Sequence, residues 1–121
     1  MSWKWEQSAG TMTSPDGARV DTGYSGHPPH VNHTVAEALP NEGPIPRGTW
    51  SIGDPYQHPH LGPVCLNLDP AEGTEAFGRS EFRIHGDNSD LNQTASHGCI
   101  ILPRVVRQLI ADSGDKVLEV V

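Results

Sequence analysis

Alternating hydrophobic and polar positions mark short strands along this chain. In "WKWEQ", Trp3 and Trp5 alternate with charged residues, which is the period-two pattern of a strand with one apolar face. The segment "SPDG" at 14–17 has the proline and glycine of a type I turn, and "ARVDTGYSG" predicts a returning strand. We therefore expect a hairpin or small meander over residues 3–25.

Further apolar segments predict the remaining elements. A long, proline-interrupted segment covers residues 26–48, and within it "TVAEAL" predicts one helical turn that Pro40 ends. The pattern "PRVVRQLIAD" places Val106, Leu109 and Ile110 on one face of a short helix that begins at Pro103 and stops at Ser113-Gly114. Strands are predicted for "TWSIG" (49–53), "VCLNL" (64–68), "EFRIHG" (81–86), "CIIL" (99–102) and "DKVLEVV" (115–121).

The length and composition fit one small domain. The chain has 121 residues, of which 35% are hydrophobic, and its 13 glycines and 11 prolines indicate many turns between short elements. We expect a single domain over residues 1–121. Its fold is predicted to be mainly β, a small sandwich or barrel-like sheet with one short C-terminal helix.

The charge balance excludes several classes of partner. The formal net charge is −7 and the sequence has no cluster of lysines and arginines, so we expect neither nucleic acid nor an anionic membrane surface as a partner. The start, "MSWKWEQSAG", has no apolar run of signal-peptide length. We expect synthesis in the cytoplasm, and any function outside it requires delivery by other means.

One constellation of residues carries candidate chemistry. His85 ends one predicted strand, and His97, Gly98 and Cys99 begin the next, so neighbouring strands are expected to bring them to the same rim of the sheet. A cysteine is mostly thiol at neutral pH, and a nearby imidazole can accept its proton. Gly98 permits backbone angles that turn amides toward an oxyanion, and Ser96 could orient an imidazole or cap the turn.

The residues alone leave a second interpretation of Cys99 open. Cysteine is among the most buried residue types, and "CIIL" has the pattern of a core strand. On local chemistry, a buried thiol and a nucleophile are about equally supported. Cys65, inside "VCLNL", is interpreted as a buried inert thiol, without a disulfide to Cys99. Three tryptophans are interpreted as core rather than as a sugar platform: Trp3, Trp5 and Trp50.

Several phrases resemble a known family of cell-wall enzymes. "IHGDN" followed by "ASHGCI" is similar to the signature of the YkuD-type L,D-transpeptidases. The phrases "TGYSG", "GPIPRGTW", "FGRSEFRIHGDN" and "GCIILPR" resemble, in order and spacing, a related branch of small type VI secretion effectors with L,D-transpeptidase-like domains. The resemblance covers nearly the whole chain, from about Trp3 to its end.

The resemblance implies roles for the residues of the motif. Cys99 would be the nucleophile and His85 its base, Gly98 and the Cys99 backbone would contact the oxyanion, and Ser96 and His97 would shape the turn. The implied substrate is a peptidoglycan stem peptide, cleaved at its terminal D-alanine through a thioester, with no cofactor. The implied outcomes are hydrolysis (L,D-carboxypeptidase) or exchange of the D-amino acid, and the implied role is that of an antibacterial toxin.

The same resemblance implies delivery into the periplasm of a rival cell. It also implies two partners, a secretion apparatus and a cognate immunity protein.

Two departures from the family pattern limit the transfer of substrate contacts. The larger enzymes carry an arginine or similar polar residue where this chain has Ile101, and the segment 27–40 lacks the asparagines of the effector branch. We expect substrate contacts from five residues: Arg79, Arg83, Gly86, Asp87 and Arg104.

Two other function classes stay open. Histidines three residues apart in "HPPHVNH", with two more in "HPH", could form a zinc site of a cell-wall peptidase, although no carboxylate or cysteine has the usual ligand spacing, and we predict no metal. These histidines are His27, His30, His33, His58 and His60. The third possibility is a module that binds muropeptides without turnover.

Overall fold

Short strands make up most of the regular structure. The structure, a computed structural model, describes residues 2–87 and 95–121. Within these residues a 3₁₀ turn covers Thr34–Ala36, and one α-helix, α1, covers Arg104–Ser113. The strands are β1 (Trp3–Glu6), β2 (Thr11–Thr13), β3 (Arg19–Thr22), β4 (Tyr24–Ser25), β5 (Gly48–Ile52), β6 (Tyr56–His58), β7 (Gly62–Pro70), β8 (Phe82–His85), β9 (Ile100–Ile101) and β10 (Val117–Val120).

The strands form one sheet that curls into a nearly closed barrel. Their order is β3-β2-β1-β10-β5-β7-β8-β9-β4, and β6 pairs with β7 beside this path. The strands at the two ends of the order, β3 and β4, follow one another in the chain and are joined at Gly23. This closure confirms the mainly β, barrel-like architecture with one short helix.

The N-terminal prediction is confirmed in part. β1, β2 and β3 form an antiparallel meander, and the Gly17 amide donates to the Ser14 carbonyl at 2.9 Å in the predicted turn. The strand assignment was wrong at Tyr24–Ser25, which pairs with β9 instead of extending the meander. The strand β6 was also missed, because "YQHPH" shows no apolar alternation.

The core fills the inside of the curled sheet. Trp3, Trp5 and Trp50 are at most 3% exposed, which confirms them as core residues, and Trp50 packs edge-on against Phe82 with ring centroids 4.9 Å apart. Leucine, isoleucine and valine side chains from β5, β7, β8, β9, α1 and β10 complete the same cluster. Burying aromatic side chains of this size makes a large hydrophobic contribution to folding.

The helix differs from its prediction in two details. Pro103 has an extended ψ of 154° and is the N-cap, so the helix begins one residue later, and Gly114 ends it with a left-handed φ of 77°. Val106 and Ile110 are buried as expected, whereas Leu109 is 48% exposed. Neither helical segment in the described ranges is long and apolar enough to cross a membrane.

Candidate active site

His85 ends β8, and Cys99 directly precedes β9, the neighbouring strand that runs parallel to β8. Ile84 is level with Ile100, and His85 is level with Ile101. Continuing this register by one residue toward the N-terminus of both segments places Cys99 level with Arg83. We expected His85 and Cys99 to meet at one rim of the sheet, but the end of one strand and the start of its parallel neighbour lie at opposite ends of the pair. The two positions are close here because β9 has only two residues.

The Cys99 thiol is free and partly exposed. Its S–H donates weakly to the Glu81 carbonyl at 3.7 Å. Burial raises the pKa of Cys99, while the Arg83 amide and the charges of Arg83 and Arg79 act in the opposite direction. Cys99 therefore rests as a thiol, and it would need a base in order to act as a nucleophile.

The His85 imidazole has the protonation state of a base. Its Nδ1 lies 2.8 Å from the Gly86 carbonyl oxygen, which can only accept, so Nδ1 carries the proton and Nε2 keeps its lone pair. The ring is 2% exposed, and burial, together with the positive charges of Arg83 and Arg107, lowers its pKa below the usual 6.5. His85 is therefore neutral at pH 7.

Ser96 holds the turn before Cys99 in shape. Its hydroxyl donates to the Cys99 carbonyl at 2.6 Å and accepts from the amides of Gly98 at 3.1 Å and Gly26 at 2.9 Å. The side chain is fully buried. The Gly98 amide, expected to contact an oxyanion, is thus engaged by Ser96, so its role as an oxyanion donor stays a prediction.

Gly98 has no room for a side chain. Its φ is 138°, a backbone conformation that favours glycine, and a Cβ there would lie 2.9 Å from the Phe82 ring and 2.6 Å from Arg79 Nη2. Its carbonyl accepts from Ser25 Oγ at 3.0 Å, and that hydroxyl also accepts from the Ile45 amide at 2.8 Å. The turn is therefore fixed to β4 as well as to β9.

The His97 side chain takes no part in the hydrogen bonds of Ser96 that shape this turn. The ring is exposed, stacks on His27 with centroids 4.7 Å apart, and bonds through Nδ1 to the Asn41 carbonyl at 2.9 Å. His97 therefore contacts the segment that precedes β5, which fits a supporting position.

A cleft of about 600 Å³ opens beside the thiol. Its walls come from the end of β8, the turn before β9 and the segments around residues 40 and 79. The lining residues are Pro40, Asn41, Leu61, Gly78, Arg79, Ser80, Glu81, Phe82, Arg83, His85, Ala95, His97, Gly98 and Cys99. Cys99 and His85 thus face one cavity of a size usual for small-molecule sites.

The guanidinium of Arg79 is bonded to main-chain carbonyls. Nη1 donates to Glu37 and Pro44, and Nη2 donates to Gly43 at 2.8 Å and His97 at 3.3 Å. The group also lies over the Phe82 ring, 5.0 Å from its centroid. All four Nη protons are used, so Arg79 holds the segment 37–44 against the turn before Cys99 rather than offering a fork to a carboxylate.

Of the other four residues expected to contact substrate, Arg83 lines the cleft, and Gly86, Asp87 and Arg104 lie outside its lining. Arg83 lines the cleft, and its Nε is buried without a hydrogen-bond partner. Arg104 is exposed at the start of α1 and does not line the cleft. Gly86 orients His85 through its carbonyl. Asp87 accepts a 2.6 Å bond from the Tyr24 hydroxyl, which in turn accepts from the Ala95 amide at 3.2 Å.

Cys65 and the histidines of the motif have separate surroundings among the described residues. Cys65 is fully buried, as predicted, and donates to the Gly62 carbonyl at 3.3 Å; the register of β7 and β8 places it level with His85. His30 pairs with Glu42 at 3.3 Å, whereas His27 stacks on His97. Across residues 2–87 and 95–121, no three His, Cys, Asp or Glu side chains are grouped to hold a metal ion.

Sequence reasoning missed two residues that shape the site. Arg107 is 6% exposed, although it is charged and on the helix, because its guanidinium donates to the carbonyls of Leu102, Pro63 and Val64. It also packs over Gly86, where a Cβ would lie 2.9 Å from its Nη2. Ser25 was missed too. Its position before a glycine in "GYSG" was the available signal, but the groups that its hydroxyl bonds, the Gly98 carbonyl and the Ile45 amide, are distant in sequence.

The fold and the site define a small, mainly β domain that carries a cysteine and a histidine in one cleft. The chain belongs to the Tlde1 domain family, whose model matches residues 19–117, a range that includes both residues. This family is associated with type VI secretion effectors and with peptidoglycan, which confirms that part of the resemblance. The likeness to YkuD-type enzymes stays a prediction.

A local similarity to a curated protein also exists. Over 50 residues the chain is 38% identical to a protein of Deinococcus radiodurans named Endoribonuclease YbeY. The match covers 41% of this chain and 29% of that protein, so the chain spans less than a third of its relative's length. A name carried by so short a match says nothing about the chemistry of Cys99.

Proposed function

We propose that this protein is a cysteine-dependent enzyme that removes or exchanges the terminal D-alanine of peptidoglycan stem tetrapeptides. The observation that carries the proposal is that His85, at the end of β8, and Cys99, directly before the neighbouring strand β9, line one cleft. Membership of a family associated with type VI secretion effectors and peptidoglycan supports the choice of substrate.

The acylation step follows from the protonation states of the pair. His85 Nε2 takes the thiol proton as Cys99 Sγ attacks the carbonyl of the third stem residue, and the S–H leaves its weak contact with Glu81. The tetrahedral intermediate collapses, the C–N bond to D-alanine breaks, and the imidazolium returns the proton to the leaving amine. The products are a thioester on Cys99 and free D-alanine.

The second step regenerates the thiol. Water or the amine of a free D-amino acid, deprotonated by His85, attacks the thioester carbonyl, and the C–S bond breaks as the proton passes to sulfur. Water gives the tripeptide, which is the carboxypeptidase outcome, and a D-amino acid gives an exchanged tetrapeptide. For a single domain of this size we expect these two outcomes rather than efficient cross-linking.

The biological role that fits this chemistry is that of an antibacterial effector. We propose delivery by a type VI secretion apparatus into the periplasm of a target cell, with a cognate immunity protein in the producer. This part of the proposal rests on the family, which matches residues 19–117, and on the expected substrate.

The direct test is mass spectrometry of muropeptides after incubation with the purified protein. We expect loss of one D-alanine from tetrapeptides, and incorporation of a D-amino acid when one is supplied. Cys99→Ala and His85→Ala should each abolish both products. Two matched controls, Cys65→Ala at the buried thiol and His60→Ala at an exposed histidine, should retain them.

The same experiment separates the alternative functions. Turnover by Cys99→Ala at the rate of the unaltered protein would disprove the cysteine mechanism. Activity that a chelator abolishes and zinc restores would indicate a metallopeptidase. Saturable binding of muropeptides with no product from the unaltered protein would indicate a binding module.

A further inference from the structure

We propose that Arg83 recognises the C-terminal carboxylate of the substrate and so restricts the enzyme to stem peptides with a free terminal D-alanine. This inference rests on the proposed function and names the substrate group that the site reads. The position two residues after Cys99, where larger enzymes carry a polar residue, holds the buried Ile101 here. Another side chain must therefore supply the recognition.

The cleft contains an arginine with an unused donor. Arg83 lines the cavity, and its Nε is buried without a hydrogen-bond partner. A buried donor left unpaired costs free energy, and a ligand that accepts from it recovers that cost. A guanidinium matches a carboxylate in shape and charge, because two parallel N–H groups can meet both oxygens.

The position of Arg83 fits the geometry of the substrate. The terminal carboxylate carbon is separated from the scissile carbonyl by one N–Cα unit, a distance of at most about 4 Å. Residues that are level on neighbouring strands lie about 4.8 Å apart, and the register places Arg83 level with Cys99. A carboxylate next to the attacked carbonyl is therefore within reach of the Arg83 side chain.

The other two arginines considered do not offer the same group. Arg79 uses its four Nη protons on the carbonyls of Glu37, Pro44, Gly43 and His97. Arg104 is exposed at the start of α1 and does not line the cleft. Within the described residues, Arg83 combines a place in the cleft with a free donor.

The experiment compares peptides that differ only at the C-terminus. Calorimetry measures binding of a synthetic stem tetrapeptide and of its C-terminal amide to the Cys99→Ala protein, which prevents turnover. We expect the acid to bind about ten- to hundredfold more tightly than the amide, as for hydrogen bonds to charged groups. Adding Arg83→Gln should lower the affinity for the acid to that for the amide. Arg83→Lys should retain part of the preference.

A matched control completes the design, and its outcomes distinguish failure of the Arg83 assignment from failure of the proposed enzyme activity. Arg19→Gln, at an exposed arginine on the edge strand β3, should leave the acid preference intact. Equal binding of acid and amide by Cys99→Ala alone, no binding of either, or a preference that survives Arg83→Gln would each overturn the assignment. An Arg83-dependent preference in a protein that shows no turnover would refute the proposed enzyme activity alone.

Discussion

Removing the Ser96 hydroxyl should both destabilise the fold and impair the site. The side chain is fully buried, and its hydroxyl bonds to three main-chain groups, those of Gly26, Gly98 and Cys99. Ser96→Ala creates little empty volume, so the loss comes from buried polar groups that no longer have a partner. Each such group costs about 1–3 kcal/mol, and partial rearrangement reduces the sum to about 3–5 kcal/mol.

That cost is large for a domain of this size. Free energies of unfolding are typically about 5–15 kcal/mol, so the variant should lose at least about a fifth of a typical stability, and most of the stability of a marginal domain. Urea denaturation followed by tryptophan fluorescence measures the change, because Trp3, Trp5 and Trp50 are buried in the core. We also expect a lower kcat for D-alanine release under conditions where the variant is folded, because the turn that presents Cys99 loosens.

Ser51→Ala is the matched control. This serine is exposed on β5 and makes one long bond, 3.4 Å, to the Asp69 carbonyl, so its loss should change stability by no more than about 0.5 kcal/mol. A loss below about 1 kcal/mol for Ser96→Ala, or a loss equal to that of the control, would show that the three bonds do not hold the turn.

Four further predictions test the site and its supports. Because the pKa of His85 lies below 6.5 and that of Cys99 above 9.0, kcat/KM should rise through an acid limb below pH 6.5 and show no descending limb before pH 9; an acid midpoint above 7 would contradict this. Iodoacetamide should alkylate the partly exposed Cys99 and inactivate the protein while the buried Cys65 stays unmodified, as peptide mass mapping would show. Arg79→Lys should lower the free energy of unfolding by about 2–4 kcal/mol in urea, because one ammonium cannot span four carbonyls; an unchanged midpoint would refute the bonding described. Gly23→Ala should prevent closure of the barrel, since its Cβ would lie 2.0 Å from a carbonyl oxygen of β9, and a circular dichroism melt like that of the unaltered chain would contradict this.

Local pattern predicted the elements that bury one apolar face. The alternation around Trp3 and Trp5, the apolar runs of β5, β7 and β10, and the glycine after α1 each correspond to an element near its predicted place. Two short strands were not assigned correctly: β6, and β4, which pairs with β9 far along the chain. Strands of two or three residues have no period of their own, so their pairing depends on tertiary contacts.

The relation between His85 and Cys99 shows where local reasoning stops. Sequence placed both residues at strand ends, and the motif gave them roles, but neither determines whether the two strands run parallel. Parallel neighbours need a crossover connection, and its path depends on the rest of the sheet. The motif thus drew attention to two residues that line one cleft, whereas their relative geometry required the structure, and their catalytic roles stay a prediction.

The arginines show most clearly why site chemistry cannot be read from residue type alone. Arg79 and Arg83 line the cleft, and Arg107 packs over Gly86 next to His85. In the sequence nothing distinguishes the three side chains by their partners. Arg79 and Arg107 are bonded to main-chain carbonyls that come from loops and strands distant in sequence, so their charge supports the fold and lowers the pKa of neighbouring groups. Arg83 differs because no such carbonyl meets its Nε. Arg83 is therefore the arginine that we propose for the substrate carboxylate, and the distinction between the three depends on tertiary packing.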